Sequence, residues 1–176
     1  MTKIHSQLAL SPGSGFSFEA FLTSVADNAA SWPALRSGIQ DKDTFAIFAR
    51  FCAWNVLFFE TFGFPVQHIN CDTSQLKSPH SHTHGPFAFD ETTYKTRFET
   101  YGASYEVTLI RNFNGHMGYF EDELMATFRF DDKSLSASCD IFNHSPIMLT
   151  SDNISPEKHN EVINALAQTL GVGKTG

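Results

Sequence analysis

Three histidines alternate along one short segment of the chain, at positions 80, 82 and 84. In an extended backbone, side chains two residues apart point to the same side, so three imidazoles can converge there. Neutral imidazole is a common protein ligand for zinc, iron and nickel. The spacing therefore predicts that His80, His82 and His84 hold one divalent transition metal.

The flanking residues leave two alternatives open. Pro79 precedes the histidines, and Gly85 and Pro86 follow them, which interrupts any long strand. The same segment therefore also fits a solvated loop that binds no metal, or one that binds metal only adventitiously.

Two further residues are predicted to be catalytic. His116 lies beside the dipeptide Asn114-Gly115, whose tight hairpin would fix its position as a proton-transfer group or an extra metal ligand. Glu121 begins the acidic run Glu121-Asp122-Glu123, and strand alternation can tilt it toward the histidines. The alternative for Glu121 is a solvated strand end.

Helical periodicity comes before this region. Apolar residues at three- and four-residue steps predict one helix over 17–33 and a second from Asp41 or Asp43 to Gly63. The stretch 45–64 has the length of a membrane span. Because Arg50, Asn55 and Glu60 interrupt it, a buried helix of a soluble domain is the better interpretation.

One face of the second helix is rich in phenylalanine and has an amide at its centre. Rigid phenyl rings pack poorly around short gaps, which favours a cavity between this helix and the sheet. A fully packed phenylalanine core is the alternative, in which Asn55 bonds to the backbone or to a tyrosine. The ligand-binding residues predicted for the cavity are Phe48, Asn55, Phe59 and Tyr94.

A period of two replaces the helical period after residue 86. Alternating residues from Tyr94 onward, the hairpin at Asn114-Gly115 and a final helix from Ser155 to Gly171 complete the pattern. The predicted fold is α+β, with two N-terminal helices, an antiparallel meander of four to six strands and a C-terminal helix on one face of the sheet. The predicted organisation is a single domain over 1–176, with an N-terminal arm (1–16), a long histidine-rich loop (66–86) and a flexible tail (172–176).

Charge and cysteine usage restrict the partners and the compartment. Twelve Lys and Arg against 19 Asp and Glu give a net charge of −7, so polyphosphates and anionic membranes would be repelled. The three cysteines form no CxxC pair, and the first residues contain no signal-peptide apolar run, so we expect a cytoplasmic protein. A small-molecule ligand and a second copy of the chain remain as partners, without nucleic acid or membrane.

These features predict a small-molecule-binding domain. It would act as a metal-assisted lyase, isomerase or oxygenase on a small, partly apolar metabolite. The alternative is a non-catalytic interaction module with an aromatic docking patch and incidental histidines. An enclosed pocket would favour the first function, and a filled core with a flat aromatic surface the second.

Overall fold

A computed structural model describes residues 3–9, 38–79, 81–170 and 174–175. Two α-helices lie in this part of the chain, α1 (Lys42–Thr61) and α2 (Pro156–Leu170). The strands are β1 (Lys3–Leu8), β2 (Asn70–Lys77), β3 (His82–His84), β4 (Phe87–Thr100), β5 (Ala103–Asn114), β6 (Tyr119–Phe130), β7 (Lys133–Asp140), β8 (Ile147–Asp152) and β9 (Lys174–Thr175). Together they confirm the α+β class.

All strand pairs are antiparallel and belong to one sheet. Eight strands lie side by side in the order β2-β4-β5-β6-β7-β8-β1-β9, and β3 pairs with β4 next to the end of β2. The predicted meander is therefore present as β4 to β8. Its alternation places one set of side chains against the helices, which we call the inner face, and the other set on the opposite, outer face.

The helix ends follow the predicted capping residues. Asp41 caps α1 by accepting a hydrogen bond from the Thr44 backbone N–H at 2.9 Å, and the helix ends before Gly63, which has a φ of +79°. Ser155 caps α2 by accepting from the Lys158 N–H at 3.2 Å. Helix α1 packs on β5, β6 and α2, and α2 also packs on β1.

Several boundaries differ from the predictions. Of the two helices predicted before the sheet, the described residues contain α1, and the other, at 17–33, lies outside them. The described residues form nine strands, more than the four to six predicted, because β2 is polar and β1, β3 and β9 are too short to show a clear alternation. Residues 3–8 of the expected arm form β1, the expected loop 66–86 holds a 3-10 turn, β2 and β3, and residues 174–175 of the expected tail form β9.

A buried histidine joins the first and last parts of the described chain. His159 on α2 lies within 2.8 Å of two serine hydroxyls, that of Ser6 on β1 at Nε2 and that of Ser151 on β8 at Nδ1. Strands β1 and β8 are themselves paired along six residues. The contact therefore fixes α2 over this pair of strands.

Phenylalanine rings fill the space between α1 and the sheet. Phe128 on β6 has no exposed surface. Its ring lies 5.3–6.1 Å, centroid to centroid, from five other phenylalanine rings, those of Phe58, Phe59, Phe62, Phe64 and Phe130. Offset and edge-on ring contacts of this kind add to the stabilisation from burial.

We predict that Phe128→Ala lowers the free energy of unfolding by about 3–5 kcal/mol, because it removes a large buried side chain that several rings contact. Leu76→Ala, at a side chain 63% exposed on β2, is the control, with a change within about 0.5 kcal/mol. Urea denaturation of both variants measures the difference. Equal losses would mean that this cluster is not the main core.

Candidate functional site

An open cavity of about 260 Å³ lies on the inner face of the sheet. Strands β4, β5 and β6 supply most of its wall, and Gly38 closes one side. We call it the Arg111 cavity, and its lining residues are Gly38, Asp90, Thr92, Tyr94, Arg111, Phe113 and Phe120. It combines aromatic surface with one guanidinium group.

Strand register brings these side chains together. Thr92, Arg111 and Asp122 are direct cross-strand partners on β4, β5 and β6. Phe113 lies opposite Phe120 in the next pair on the same face, and their ring centroids are 5.0 Å apart. Because directly opposite side chains contact each other, the register alone assembles the cavity wall.

Arg111 and Asp122 form a buried ion pair. The Nε of Arg111 donates to the carboxylate of Asp122 at 3.0 Å, and each side chain is 5% exposed. The guanidinium carbon also lies 4.0 Å from the centroid of the Phe120 ring, a cation–π contact. The hydroxyl of Thr44 on α1, which donates to Asp41, also lies 3.1 Å from the other carboxylate oxygen of Asp122, so the two carboxylates share this donor. The start of α1 is thereby joined to the cavity.

Two titratable groups respond to this environment. Burial raises the pKa of Tyr94, whose hydroxyl donates to the Gly38 carbonyl at 3.1 Å, so the phenol is protonated at neutral pH. The hydrogen bond from Thr44 lowers the pKa of Asp41, and the positive charge of Arg111 contributes in the same direction. Asp41 is therefore a carboxylate near the guanidinium.

A second cavity of about 260 Å³ lies on the outer face of the same strand ends, and Asp90 and Phe113 line both cavities. We call it the Glu91 cavity, and its other lining residues are His82, Phe89, Glu91, Asn112, Asn114 and Glu121. It brings together His82 and Glu121, both of which the sequence pointed to as site residues. The His82 ring is stacked on Phe89, with centroids 5.1 Å apart.

No family model matches this chain, and no curated protein or solved structure was found to match it. Within the described residues, no helix is both long and apolar enough to cross a membrane.

Two of the three predicted metal ligands lie within the described residues. His82 and His84 lie in an extended strand, β3, as the spacing required, and both are exposed. His80 lies outside the described residues. Among those that are described, no three His, Cys, Asp or Glu side chains are grouped closely enough to hold a metal ion. The metal site stays a prediction.

The other predicted site residues lie apart from each other. His116 is exposed in the β5–β6 hairpin, where its ring meets Phe87 edge-on with centroids 4.9 Å apart. Tyr94 lines the Arg111 cavity. Phe48, Asn55 and Phe59 have no exposed surface and line neither cavity.

Asn55 does lie buried on the phenylalanine face, as its helical position indicated. Its amide Nδ2 donates to the carbonyl of Cys52 one turn earlier in α1. That partner is backbone, which was the structural alternative. Its Oδ1 has no hydrogen-bond partner in the described structure.

The sequence also carried an unused signal for Arg111 and Asp122. Arg111 follows Leu109 by two residues, and Asp122 precedes Leu124 by two, so strand alternation places both on the inner face. A charged residue at an inward position is a signal for a buried pair.

The cysteines contribute no nucleophile to either cavity. Cys52, Cys71 and Cys139 are free and buried. Burial raises the pKa of Cys71 to about 11 and that of Cys139 to about 12. Their thiols are therefore protonated at neutral pH and unreactive.

We predict that Arg111→Met lowers the free energy of unfolding by about 3–5 kcal/mol, because it leaves the Asp122 carboxylate buried without its cation. The double variant Arg111→Met, Asp122→Leu should recover most of that loss. Urea denaturation gives both values, with Arg129→Met at an exposed position of β6 as the control. A double variant no more stable than the single one would contradict a desolvated pair.

We predict that the contribution of Asp41 to stability depends on pH. Its pKa is lowered in the folded state, so ionised Asp41 stabilises the fold above its ordinary pKa, and this stabilisation is lost as the pH falls through the lower folded value. Asp41→Asn keeps a capping oxygen but removes the charge. Wild type should unfold at higher urea than the variant at pH 7, and the gap should close toward pH 3. A gap independent of pH would contradict this assignment.

Proposed function

We propose that the protein binds a small organic carboxylate in the Arg111 cavity. The observation that carries this proposal is the incomplete use of a buried guanidinium. Among the described residues, Arg111 makes one hydrogen bond, from Nε to Asp122. Arginine has five N–H donors, so its two η nitrogens remain for a ligand at the cavity wall.

A carboxylate is the acceptor that fits this group. The planar fork of arginine pairs with both oxygens of a carboxylate, and such charge-assisted bonds are stronger where water is excluded. Asp90 also lines the cavity but pairs with Lys77 at 3.2 Å, which offsets its repulsion of an anion. Asp122 accepts the hydrogen bond from Nε of Arg111, so it positions the guanidinium without using its η nitrogens.

The remaining wall indicates the rest of the ligand. Phe113 and Phe120 offer aromatic surface, and Thr92 and Tyr94 offer hydroxyl groups. The cavity volume of about 260 Å³ is close to the lower end of typical small-molecule sites. A small acid with a flat or branched apolar part satisfies both the size and the lining.

Binding, rather than a particular reaction, is what these contacts support. The phenol of Tyr94 is protonated, but its proton is already donated to Gly38. The lyase, isomerase or oxygenase activities inferred from the histidines depend on a metal, which stays a separate prediction.

The alternative function, docking of a protein partner on an aromatic patch, rests on exposed apolar side chains at the same end of the sheet. Met117 and Phe120 lie in or beside the β5–β6 hairpin, and Phe142 stacks on Tyr119 with centroids 4.8 Å apart. Phe120 is already the cation–π partner of Arg111. Carboxylate binding therefore explains the contact between Phe120 and Arg111, which docking of a protein partner does not explain.

We predict that benzoate and phenylacetate bind and that the matched neutral and cationic compounds, benzyl alcohol and benzylamine, do not. Isothermal titration calorimetry measures the affinities. Arg111→Lys keeps the charge but loses the planar fork, so it should weaken benzoate binding at least tenfold. Arg129→Lys, on the exposed face of β6, should leave the affinity unchanged.

Two results would contradict the proposal. Benzyl alcohol binding as tightly as benzoate would show that apolar contact alone is responsible. Equal effects of the two arginine variants would show that Arg111 has no special role in binding the anion.

A further inference from the structure

We infer that the Glu91 cavity is a second binding site, for a neutral ligand rich in hydroxyl groups such as a pyranose sugar. Its central row is formed by three adjacent strands, on which Glu91, Asn112 and Glu121 are direct cross-strand partners. Neighbouring strands lie about 4.8 Å apart, so the two carboxyl-bearing residues flank the amide at regular spacing.

The polar groups of this row are not used by the protein. Across the described residues, the side chains of Glu91, Asn112 and Glu121 take part in no hydrogen bond or ion pair, although all three are half-buried. Asn114 uses its Oδ1 to accept from the backbone N–H groups of His116 and Met117, each at 3.1 Å, and its Nδ2 is left to donate. The cavity therefore presents unused acceptors and unused donors together.

The combination of free acceptors and free donors indicates which class of ligand the cavity can bind. Glu91 and Glu121 would repel an anion, so the benzoate class proposed for the Arg111 cavity does not fit here. An ammonium group has donors only and would leave the Asn112 and Asn114 amide N–H groups unmatched. A hydroxyl group both donates and accepts, so one sugar ring can satisfy the carboxylates and the amides at once.

Aromatic rings supply the apolar part of the site. Phe89 lines the same cavity, and the stacked His82 ring extends the surface of Phe89. A pyranose has a face of C–H groups between its hydroxyls. Aromatic side chains offer a matching apolar surface whose ring faces carry negative charge density.

The walls of the cavity are held by contacts outside it. The Glu91 N–H donates to the Ser81 hydroxyl at 3.0 Å, and the Ser78 N–H donates to the Glu91 carbonyl at 2.8 Å, which fixes the segment leading to His82. On the other side, the hairpin lies directly on β4, since a Cβ on Gly115 would come within 2.0 Å of the Ala88 carbonyl oxygen. A preformed site loses little entropy when its ligand binds.

The test is a titration of ¹⁵N-labelled full-length protein with methyl β-D-glucopyranoside and methyl β-D-galactopyranoside, followed by amide chemical shifts. At least one sugar should give saturable shifts centred on the amides of residues 82, 89–91, 112–114 and 121. Asn112→Leu should weaken binding at least tenfold, and Glu121→Gln should weaken it by a smaller factor. Thr108→Ala, on the same outer face of β5, is the matched control and should bind as wild type does.

Cyclohexylamine, a six-membered ring with an ammonium group and no hydroxyls, is the competing probe. Saturable shifts at these amides with cyclohexylamine but not with the sugars would overturn the proposal in favour of a cation site. The proposal also fails if neither sugar gives saturable shifts, or if Asn112→Leu binds the sugars as tightly as the control Thr108→Ala does. Because Arg111→Lys should not alter sugar binding, failure here is distinguishable from failure of the carboxylate site.

Discussion

The unbroken antiparallel register of β4, β5 and β6 is the constraint on which the rest of the structure depends. Twelve consecutive residue pairs join β4 to β5, and twelve more join β5 to β6. Because side chains alternate without interruption, the inner face is set by the apolar residues in the middle of each strand. Strand alternation then determines which face each residue nearer the strand ends occupies. It places even charged residues, which would otherwise stay in water, on the inner face. The Arg111 cavity lies on the inner face of these strand ends, and the Glu91 cavity lies on their outer face.

That constraint explains how an ion pair can lie at the margin of an aromatic core. Burying two charges is costly, and only good geometry with further hydrogen bonds offsets the desolvation. Here the pair has three supports: a direct contact across adjacent strands, a ring beneath the guanidinium and a hydroxyl from α1. The support from α1 also fixes where that helix begins. The Arg111–Asp122 pair and the position of α1 on the sheet consequently depend on each other.

The sequence predicted best where a single periodicity governs a long element. Helix α1 was placed to within one or two residues because its caps and its apolar spacing agree, and the meander followed from strict alternation. Prediction failed for β2, whose outward residues are polar except for Leu76 and whose inward ones include only one apolar side chain, Cys71. It also failed for β3, because Pro79 and Gly85 on either side suggested a loop.

The site was harder to predict because it depends on which strands are neighbours. Residue types alone indicated His82 and Glu121, but their common cavity required Glu91 and Asn112, which only the pairing brings next to them. The sequence predicts Phe48 and Phe59 as cavity residues because rigid phenyl rings pack poorly around short gaps. In the structure, neighbouring rings fill those gaps, as the contacts of Phe59 with Phe64 and Phe128 show.

The contact between Ser6 and His159 joins residues 153 positions apart, and β1 has its long partner only in β8. During synthesis, the residues of β1 leave the ribosome long before β8 and α2 exist, so this strand must wait unpaired while the meander forms. Contacts so distant in sequence slow folding, and an unpaired strand is exposed to association with other chains in the meantime. Strand β1 alternates Ile4, Ser6 and Leu8 with the polar Lys3, His5 and Gln7. Its polar side can remain hydrated until β8 is available, which lowers the tendency of the unpaired strand to associate with other chains.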